Sequence, residues 1–282
     1  MNAWMFFLSS NDYYIYMLLG AYKNLLDTKT KYPIYCAITK DVNANTRQIL
    51  QAVGINILEL NTNFILSTST LKNTNESGLT AWYKSAFPKL ALFDTQVEEK
   101  FDKIVYLDTD QWIKQNIDEV MDMPHMTAVI DRSPKPLITE YTLGASIFCS
   151  GMFVWDFKEN PHLGHNLVRY IDDLNPNVSW HDQSVLNYWY RDWNKHPELH
   201  LDYHYGAMNH LENCGYMWDD PSIKVWHFTT RNRTDWPFYS RVELPKTYVG
   251  FKEWVASIAN TIIEFNEAYN LHMVIPNANN LK

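Results

Sequence analysis

Cysteine is scarce in this sequence, and its few copies lie far apart. It occurs three times in 282 residues, at Cys36, Cys149 and Cys214, and no two copies form a CxxC pair. This spacing excludes a zinc ribbon and a dithiol redox motif, and it favours reduced thiols in a reducing compartment. We therefore expect a cytoplasmic protein.

Long apolar runs are also missing. No stretch of about 18 apolar residues occurs, so we predict no transmembrane helix. The N-terminal segment has no basic residue and becomes polar within ten residues. This pattern is typical of a first strand and not of a signal peptide.

Positive charge is in deficit. The chain has 24 Lys and Arg residues against 32 Asp and Glu residues, which gives a formal net charge of -8. Nucleic-acid binding needs clustered basic residues that displace counterions, and binding to an anionic membrane surface needs the same charge. The acidic balance therefore disfavours both kinds of partner.

Several catalytic motifs are absent as well. The sequence contains neither GxGxxG nor GxxxxGK[ST], so it carries no nicotinamide-binding fingerprint and no P-loop. It also lacks GxSxG and HExxH, the usual signatures of α/β-hydrolases and zinc proteases. The chemistry must come from other residues.

Strand and helix signals alternate along the first third of the chain. Apolar runs predict strands at 4–8, 34–38 and 56–60, with apolar residues at helical spacing between them. This order predicts a parallel sheet with helices on its faces. A further buried strand is predicted at 104–107, and a terminal helix at 251–269.

Two acids follow the predicted strand at 104–107. Asp108 and Asp110 flank Thr109, and residues i and i+2 of an extended chain point to the same side. Two carboxylates beside an apolar strand both stay ionised only when a cation lies between them. A divalent metal bridging to phosphate fits this pattern, because open α/β sheets bind ligands at the carboxyl ends of strands. A solvated turn or a helix cap is the alternative.

Other polar side chains stand at the ends of predicted elements. His227 follows an apolar run, and an imidazole with two carboxylates suits Mn²⁺, whereas a structural histidine is the alternative. Asp182 and Gln183 begin a predicted helix, so Asp182 either caps that helix or contacts a substrate. The basic residues Lys84, Arg231 and Arg233 could offset a diphosphate, with surface charge as the alternative.

These pieces, in this order, resemble glycosyltransferase family 8, the family of glycogenin and of bacterial lipopolysaccharide galactosyl- and glucosyltransferases. The resemblance runs from about residue 8 to about residue 237. It rests on an ordered set of motifs: SNDxY at 10–14, Lys84, FDKIVYLDTD at 101–110, NIDEV at 116–120, SGMFV at 150–154, DQxxLN at 182–187 and KVWHF at 224–228.

The resemblance implies a GT-A fold, which is a Rossmann-like α/β fold with a central mixed, mostly parallel sheet flanked by helices. It also implies a UDP-sugar donor, Mn²⁺ with Mg²⁺ as the alternative, and retention of the anomeric configuration. The implied metal ligands are Asp108, Asp110 and His227. The implied catalytic residues are Asp182 and Gln183, near the reacting carbon of the transferred sugar, and Lys84, which reaches the donor. The other implied donor contacts are Leu8, Ser10, Asn11, Tyr14 (stacked on the base), Thr109, Cys149, Ser150, Gly151, Thr230 and Arg233.

Three positions depart from the family's usual pattern. Cys149 stands where an Asn usually contacts donor sugar hydroxyls, and Thr230 replaces the glycine of HFxGxxKP. Arg233 replaces the phosphate-binding lysine of that motif, although arginine keeps the charge and can bind phosphate through two hydrogen bonds. The changes at Cys149 and Thr230 keep open a non-catalytic sugar-nucleotide or glycan-binding module. A metal-dependent phosphohydrolase that uses the same acids is a second alternative.

The sequence thus predicts a Mn²⁺-dependent retaining enzyme that moves glucose or galactose from a UDP-sugar to a hydroxyl of a glycan, protein or small molecule. We expect one GT-A domain with a nucleotide-binding half (1–130), an acceptor- and sugar-binding half (131–240) and a helical extension (241–282). The aromatic-rich segment 194–222, read as a loop, is the expected acceptor region. Homo-oligomerisation is left open.

Overall fold

A computed structural model describes most of the chain. The described residues are 1–9, 14–62, 87–131, 147–162, 164, 166, 167, 182–208, 220–228 and 249–275. Seven residues singled out above lie outside these ranges, namely Ser10, Asn11, Lys84, Cys214, Thr230, Arg231 and Arg233. Their expected roles stay predictions.

The described strands and helices follow the predicted order. The strands are β1 (Asn2–Leu8), β2 (Ile34–Ile38), β3 (Asn56–Glu59), β4 (Lys103–Leu107), β5 (Gln111–Ile113), β6 (Ala128–Ile130), β7 (Phe148–Asp156), β8 (His200–Leu201), β9 (Ala207–Met208) and β10 (Val225–His227). The α-helices are α1 (Tyr14–Asp27), α2 (Ala44–Ala52), α3 (Thr95–Glu98), α4 (Asp182–Trp189) and α5 (Val249–Tyr269). Short 3₁₀ helices cover Phe87–Phe93, Asp118–Asp122, Trp193–Lys195, Pro197–Leu199 and Tyr203–Tyr205.

The main sheet is mixed and mostly parallel in its first half. Its described strands lie in the order β3-β2-β1-β4-β7-β6-β8. β3, β2, β1 and β4 run parallel to one another, whereas β7 pairs antiparallel with both β4 and β6. The parallel part agrees with the alternating strand and helix signals, and the fold class expected from the sequence is confirmed.

Both faces of this sheet are buried, which explains why its strands are continuous apolar runs. Along β1, Trp4 and Phe6 point into a core that includes α1 and α5, whereas Ala3, Met5 and Phe7 point into the opposite core. Helix α1 packs against α5 on the first face, and α4 packs on the second face. The sheet is thus a rigid layer whose strand ends can hold functional groups.

A second, three-stranded sheet stands at the carboxyl edge of β4. Its order is β5-β10-β9, with β10 antiparallel to β5 and parallel to β9. The chain passes from β4 in the first sheet to β5 in the second through Asp108, Thr109 and Asp110. The two acids therefore lie at the junction of the two sheets.

The segment 194–222, expected to be a loop, contains short regular elements in its described part. His200–Leu201 pairs with β6, and Ala207–Met208 pairs with β10. Two-residue strands carry no periodic signal, so their partners decide their conformation. None of the helices in the described part of the chain combines the length and the apolar composition that a membrane crossing needs.

Candidate metal and donor site

The junction between the two sheets brings three predicted ligands together. The backbone N–H of Asp108 donates to the carbonyl of Gly151 at 2.7 Å, which fixes the first acid to β7. Antiparallel pairing sets His227 of β10 opposite Gln111 of β5, and the N–H of Phe228 donates to the carbonyl of Asp110 at 2.9 Å. These backbone contacts bring a histidine from far along the chain beside both acids.

The side chains converge as a metal site requires. His227 Nε2 lies 3.1 Å from Asp110 Oδ1 and 3.8 Å from Asp108 Oδ2. One ligand atom from each residue lies within 4.8 Å of the others, and His227 is buried. Two carboxylates and an imidazole form a ligand set that Mn²⁺ accepts. The geometry therefore fits the divalent cation expected from the sequence.

The electrostatics of this cluster show the same need for a cation. Burial raises the pKa of Asp108, and the neighbouring Asp110 charge adds to that effect against the pull of Lys89 and His227. Burial alone would lower the pKa of His227, but the carboxylate of Asp110 and the sulfur of Cys149 outweigh it and raise the pKa well above its ordinary value. A bound cation would favour the unprotonated forms of both groups.

Gly151 leaves the space in which the His227 ring lies. A Cβ at this position would fall inside contact distance of His227 Cε1 and would lie 3.0 Å from Asp108 Oδ2. The absence of a side chain therefore lets β7 pass directly behind two of the metal ligands. Gly151 was expected to contact the donor. In the structure its nearest side-chain neighbours are His227 and Asp108, two of the candidate metal ligands.

A second cluster adjoins the first and centres on Lys89, which the sequence reasoning missed. Its ammonium group pairs with Asp182, lies 3.5 Å from Asp108 Oδ1 and 3.2 Å from the carbonyl of Ser150. Burial lowers the pKa of Lys89, but Asp108 and Asp182 outweigh it and raise the pKa above its ordinary value. Lys89 thus supplies a buried, permanent positive charge beside the candidate metal site.

A signal for Lys89 exists in the sequence. It is the single charged residue in the segment Phe87–Phe93, whose seven residues are all buried. An isolated lysine in such an apolar run is rarely buried without a charged partner. The expected basic residue, Lys84, precedes this segment and is outside the described residues, so its role stays a prediction.

Asp182 and Gln183 begin α4, where the sequence predicts a helix to start, and they face β7. Asp182 Oδ2 accepts a hydrogen bond from Ser150 Oγ at 2.7 Å, and Gln183 Oε1 accepts one from the Ser150 N–H at 3.1 Å. Gln183 Nε2 donates to Asp131 Oδ2 at 2.8 Å. Asp131 was missed, although it is an acid directly after strand β6, as Asp108 is after β4.

Tyr106 orients the first ligand. Its hydroxyl donates to Asp108 Oδ1 at 2.6 Å, and the ammonium group of Lys89 lies 4.6 Å from its ring centroid. Burial raises the pKa of Tyr106 well above its ordinary value, and the Asp108 charge adds to this effect, so the phenol stays a donor. The Oδ1 atom of Asp108 is therefore hydrogen-bonded, and its Oδ2 atom faces His227.

The remaining described candidates lie at or near the same edge. The register pairs Met5 with Tyr106, so β1 ends at Leu8 next to the end of β4. Leu8 and Thr109 are buried, and Tyr14 begins α1 and packs against the core. Cys149 does not point to open space, because its sulfur lies 3.6 Å from His227 Nδ1.

Comparison with known proteins decides the family. The model for glycosyl transferase family 8 matches residues 5–233. The chain belongs to glycosyl transferase family 8. The resemblance drawn from the ordered motifs, and with it the expectation of a glycosyltransferase, is confirmed.

Curated members of the family share about a quarter of their aligned residues with this chain. Galactinol synthase 1 of Solanum lycopersicum is 28% identical in an alignment of 203 residues that covers 67% of this chain and 60% of that protein. Galactinol synthase 2 of Arabidopsis thaliana is 26% identical in an alignment of 268 residues that covers 86% of this chain and 75% of that protein. The chain thus spans only part of the length of these relatives.

Solved structures resemble this one in fold. The galactosyltransferase LgtC in complex with donor and acceptor sugar analogs superposes with a TM-score of 0.62 at 15% identity, over 92% of this chain and 96% of that chain. The glycosyltransferase GlyE of Streptococcus pneumoniae gives a TM-score of 0.54 at 16% identity, over 95% and 65%. These likenesses confirm the GT-A fold.

Proposed function

We propose that this chain transfers a hexose from a UDP-sugar to a hydroxyl acceptor, with retention of the anomeric configuration and dependence on Mn²⁺. The convergence of Asp108, Asp110 and His227 at the junction of the two sheets carries the proposal. Family membership supports the reaction class, and the carboxyl edge of the sheet is where open α/β proteins bind nucleotides.

The metal would be held by Asp108, Asp110 and His227. When bound, it would neutralise the donor diphosphate and stabilise the charge that develops on the UDP leaving group. The fit rests on the chemistry of the three ligand atoms, which are two carboxylate oxygens and one imidazole nitrogen. Mg²⁺ is the alternative ion, because the same oxygen ligands suit it.

The residues around Ser150 would act at the transferred sugar. The ammonium group of Lys89 pairs with the carboxylate of Asp182, and both side chains are buried. Asp182 could stabilise positive charge at the anomeric carbon, and it is a better candidate nucleophile than the Gln183 amide if a covalent step occurs. The acceptor hydroxyl would attack from the same face and pass its proton to the departing phosphate.

Glucose and galactose are the proposed donor sugars, and galactose has the better support. The relatives described above are named galactinol synthases, and the structural neighbour LgtC is named a galactosyltransferase. The expected donor contacts Leu8, Ser10, Asn11, Tyr14, Thr109, Cys149, Ser150, Gly151, Thr230 and Arg233 belong to this proposal. The single-domain organisation and the cytoplasmic location also belong to this proposal. The buried free thiols of Cys36 and Cys149 support the cytoplasmic location.

Donor turnover tests the proposal directly. The chain would be incubated with Mn²⁺ and a panel of UDP-hexoses, and the nucleotide product would be identified by chromatography. We expect intact UDP to be released from UDP-galactose or UDP-glucose, slowly by hydrolysis and faster once an acceptor is supplied. Release of UMP would favour a phosphohydrolase. Tight donor binding without any release would favour a binding module.

A further inference from the structure

The imidazole of His227 has a second polar neighbour on the side away from the two acids. Nε2 faces Asp110, and Nδ1 lies 3.6 Å from the sulfur of Cys149. His227 is 4% exposed and Cys149 is 5% exposed, so water does not compete for this contact. The contact joins β7 of the main sheet to β10 of the second sheet.

A metal-binding histidine needs such a neighbour. A neutral imidazole carries one proton, and binding through Nε2 requires that this proton lie on Nδ1. The Nδ1–H must then find an acceptor, which in metal sites also fixes the ring orientation. In the described part of the chain, Cys149 is the only group within hydrogen-bond distance of Nδ1.

The surrounding packing keeps both partners in place. Gly151 lies against the ring edge, where an added Cβ would be 2.9 Å from Nδ1, so the ring has no free space on that side. The thiol also packs against buried Met208 of β9. The sulfur therefore has a fixed position from which it can accept a hydrogen bond.

We propose that Cys149 is a positioning residue for the metal ligand His227: its sulfur accepts the Nδ1–H hydrogen bond and directs Nε2 toward the cation. This inference rests on the proposed metal-dependent function. It assigns Cys149 a role that differs from the donor-sugar contact made by the Asn usual at this position. This positioning role is separate from the donor contact expected of Cys149, because here the thiol acts through His227.

Direct measurement of metal binding tests the role without turnover. Free Mn²⁺ would be followed by electron paramagnetic resonance in titrations of the full chain, in reducing buffer and without donor. Cys149→Ala should weaken Mn²⁺ binding by about tenfold, the lower end for loss of a hydrogen-bond partner of a metal ligand. Cys149→Ser should retain most of the affinity, because its hydroxyl can still accept from Nδ1–H.

Cys36 offers a matched control. It is likewise a buried free cysteine, but its sulfur contacts the carbonyl of Ala37 within β2, at 3.7 Å, and no ligand of the metal. Cys36→Ala should lower the unfolding midpoint in urea through its cavity and leave Mn²⁺ affinity unchanged. This control separates loss of packing from loss of ligand positioning.

Three outcomes would overturn the inference: wild-type affinity in Cys149→Ala, equal loss in the alanine and serine variants, or an equal loss in Cys36→Ala. The proposed function fails separately. If the wild-type chain binds Mn²⁺ and Cys149→Ala weakens that binding, but no UDP is released from any donor, the positioning role stands and the transferase proposal falls.

Discussion

Charge balance at single residues explains why the site can accept a divalent cation. Three neighbouring carboxylates, those of Asp108, Asp110 and Asp182, face the ammonium group of Lys89 and the imidazole of His227. With His227 neutral, this set carries two uncompensated negative charges. A divalent ion would neutralise them, which is why loss of one ligand should matter more than loss of one surface acid.

Asp110→Asn tests the ligand assignment at this scale. The variant keeps the shape of the side chain and removes the charge next to His227, so Mn²⁺ affinity should fall by more than about 100-fold while the fold is retained. Electron paramagnetic resonance would report the affinity, and circular dichroism the fold. Asp192→Asn is the control, because Asp192 is exposed and pairs with Lys195 at 2.6 Å. Unchanged Mn²⁺ binding in Asp110→Asn would refute the metal site.

At the scale of elements, close approach of strands and helices limits which residues can be substituted. β7 passes behind the metal ligands because Gly151 has no side chain, and α1 meets α5 closely because Gly20 has none. A Cβ on Gly20 would lie 2.7 Å from Ile258 Cγ1. Each contact joins elements that are distant in sequence.

Gly151→Ala should disturb the site without unfolding the protein. The new methyl group must displace the His227 ring or move β7, because both cannot occupy the same space. We expect Mn²⁺ affinity to fall by at least about tenfold, which isothermal titration calorimetry would measure. Gly54→Ala is a contrasting variant: Gly54 has φ +86, so alanine there strains the backbone far from the metal ligands. If Gly151→Ala bound Mn²⁺ as well as the wild type, the proposed crowding would be wrong.

The contact between α1 and α5 should contribute strongly to stability. Ile258 is fully buried against Gly20, so Ile258→Ala should lower the free energy of unfolding by about 2–5 kcal/mol through lost burial and a cavity. Ile263 lies on the same helix with 48% of its surface exposed, and Ile263→Ala should cost much less. Urea unfolding curves would compare the two. If both variants lost the same free energy of unfolding, packing of the buried face of α5 would not be what stabilises this helix.

For the whole molecule, one buried histidine links stability to pH. His125 accepts a hydrogen bond at Nδ1 from the Asp156 N–H, and its Nε2 lies 2.8 Å from the Tyr190 hydroxyl. Burial lowers the pKa of His125 to about 4, against the opposing charge of Asp156. The folded state therefore holds this ring neutral, and protonation would break the bond to Asp156.

The sign of the pH effect follows from the lowered pKa. Between about pH 6.5 and about pH 4 the unfolded chain binds a proton at His125 that the folded chain does not bind, so unfolding becomes easier as pH falls. The loss should be on the order of 3 kcal/mol, complete near the folded pKa. Urea unfolding from pH 7 to pH 4 would measure it. His125→Gln should flatten the slope in that window, whereas exposed His272→Gln should leave it unchanged; an unaltered slope in His125→Gln would contradict the assignment.

Local pattern was enough to predict most described elements, because an apolar run or a helical repeat reports which face of the chain is buried. The strand at 34–38 agrees with β2, and the terminal helix predicted at 251–269 agrees with α5 except for its first two residues. The acids at the end of β4 could be read in the same way. The pairing of His200–Leu201 could not, because two residues contain no period.

The sequence by itself determined the family, the fold class and the three groups proposed to bind metal, since ordered motifs and strand-end acids are written along the chain. Only the tertiary structure decided which further side chains meet them. It brings Lys89 to Asp108 and Asp182, Asp131 to Gln183, and Cys149 to His227. These contacts form because β10 pairs with β5 and α4 packs on β7, and such pairings depend on distant surfaces that no local spacing records.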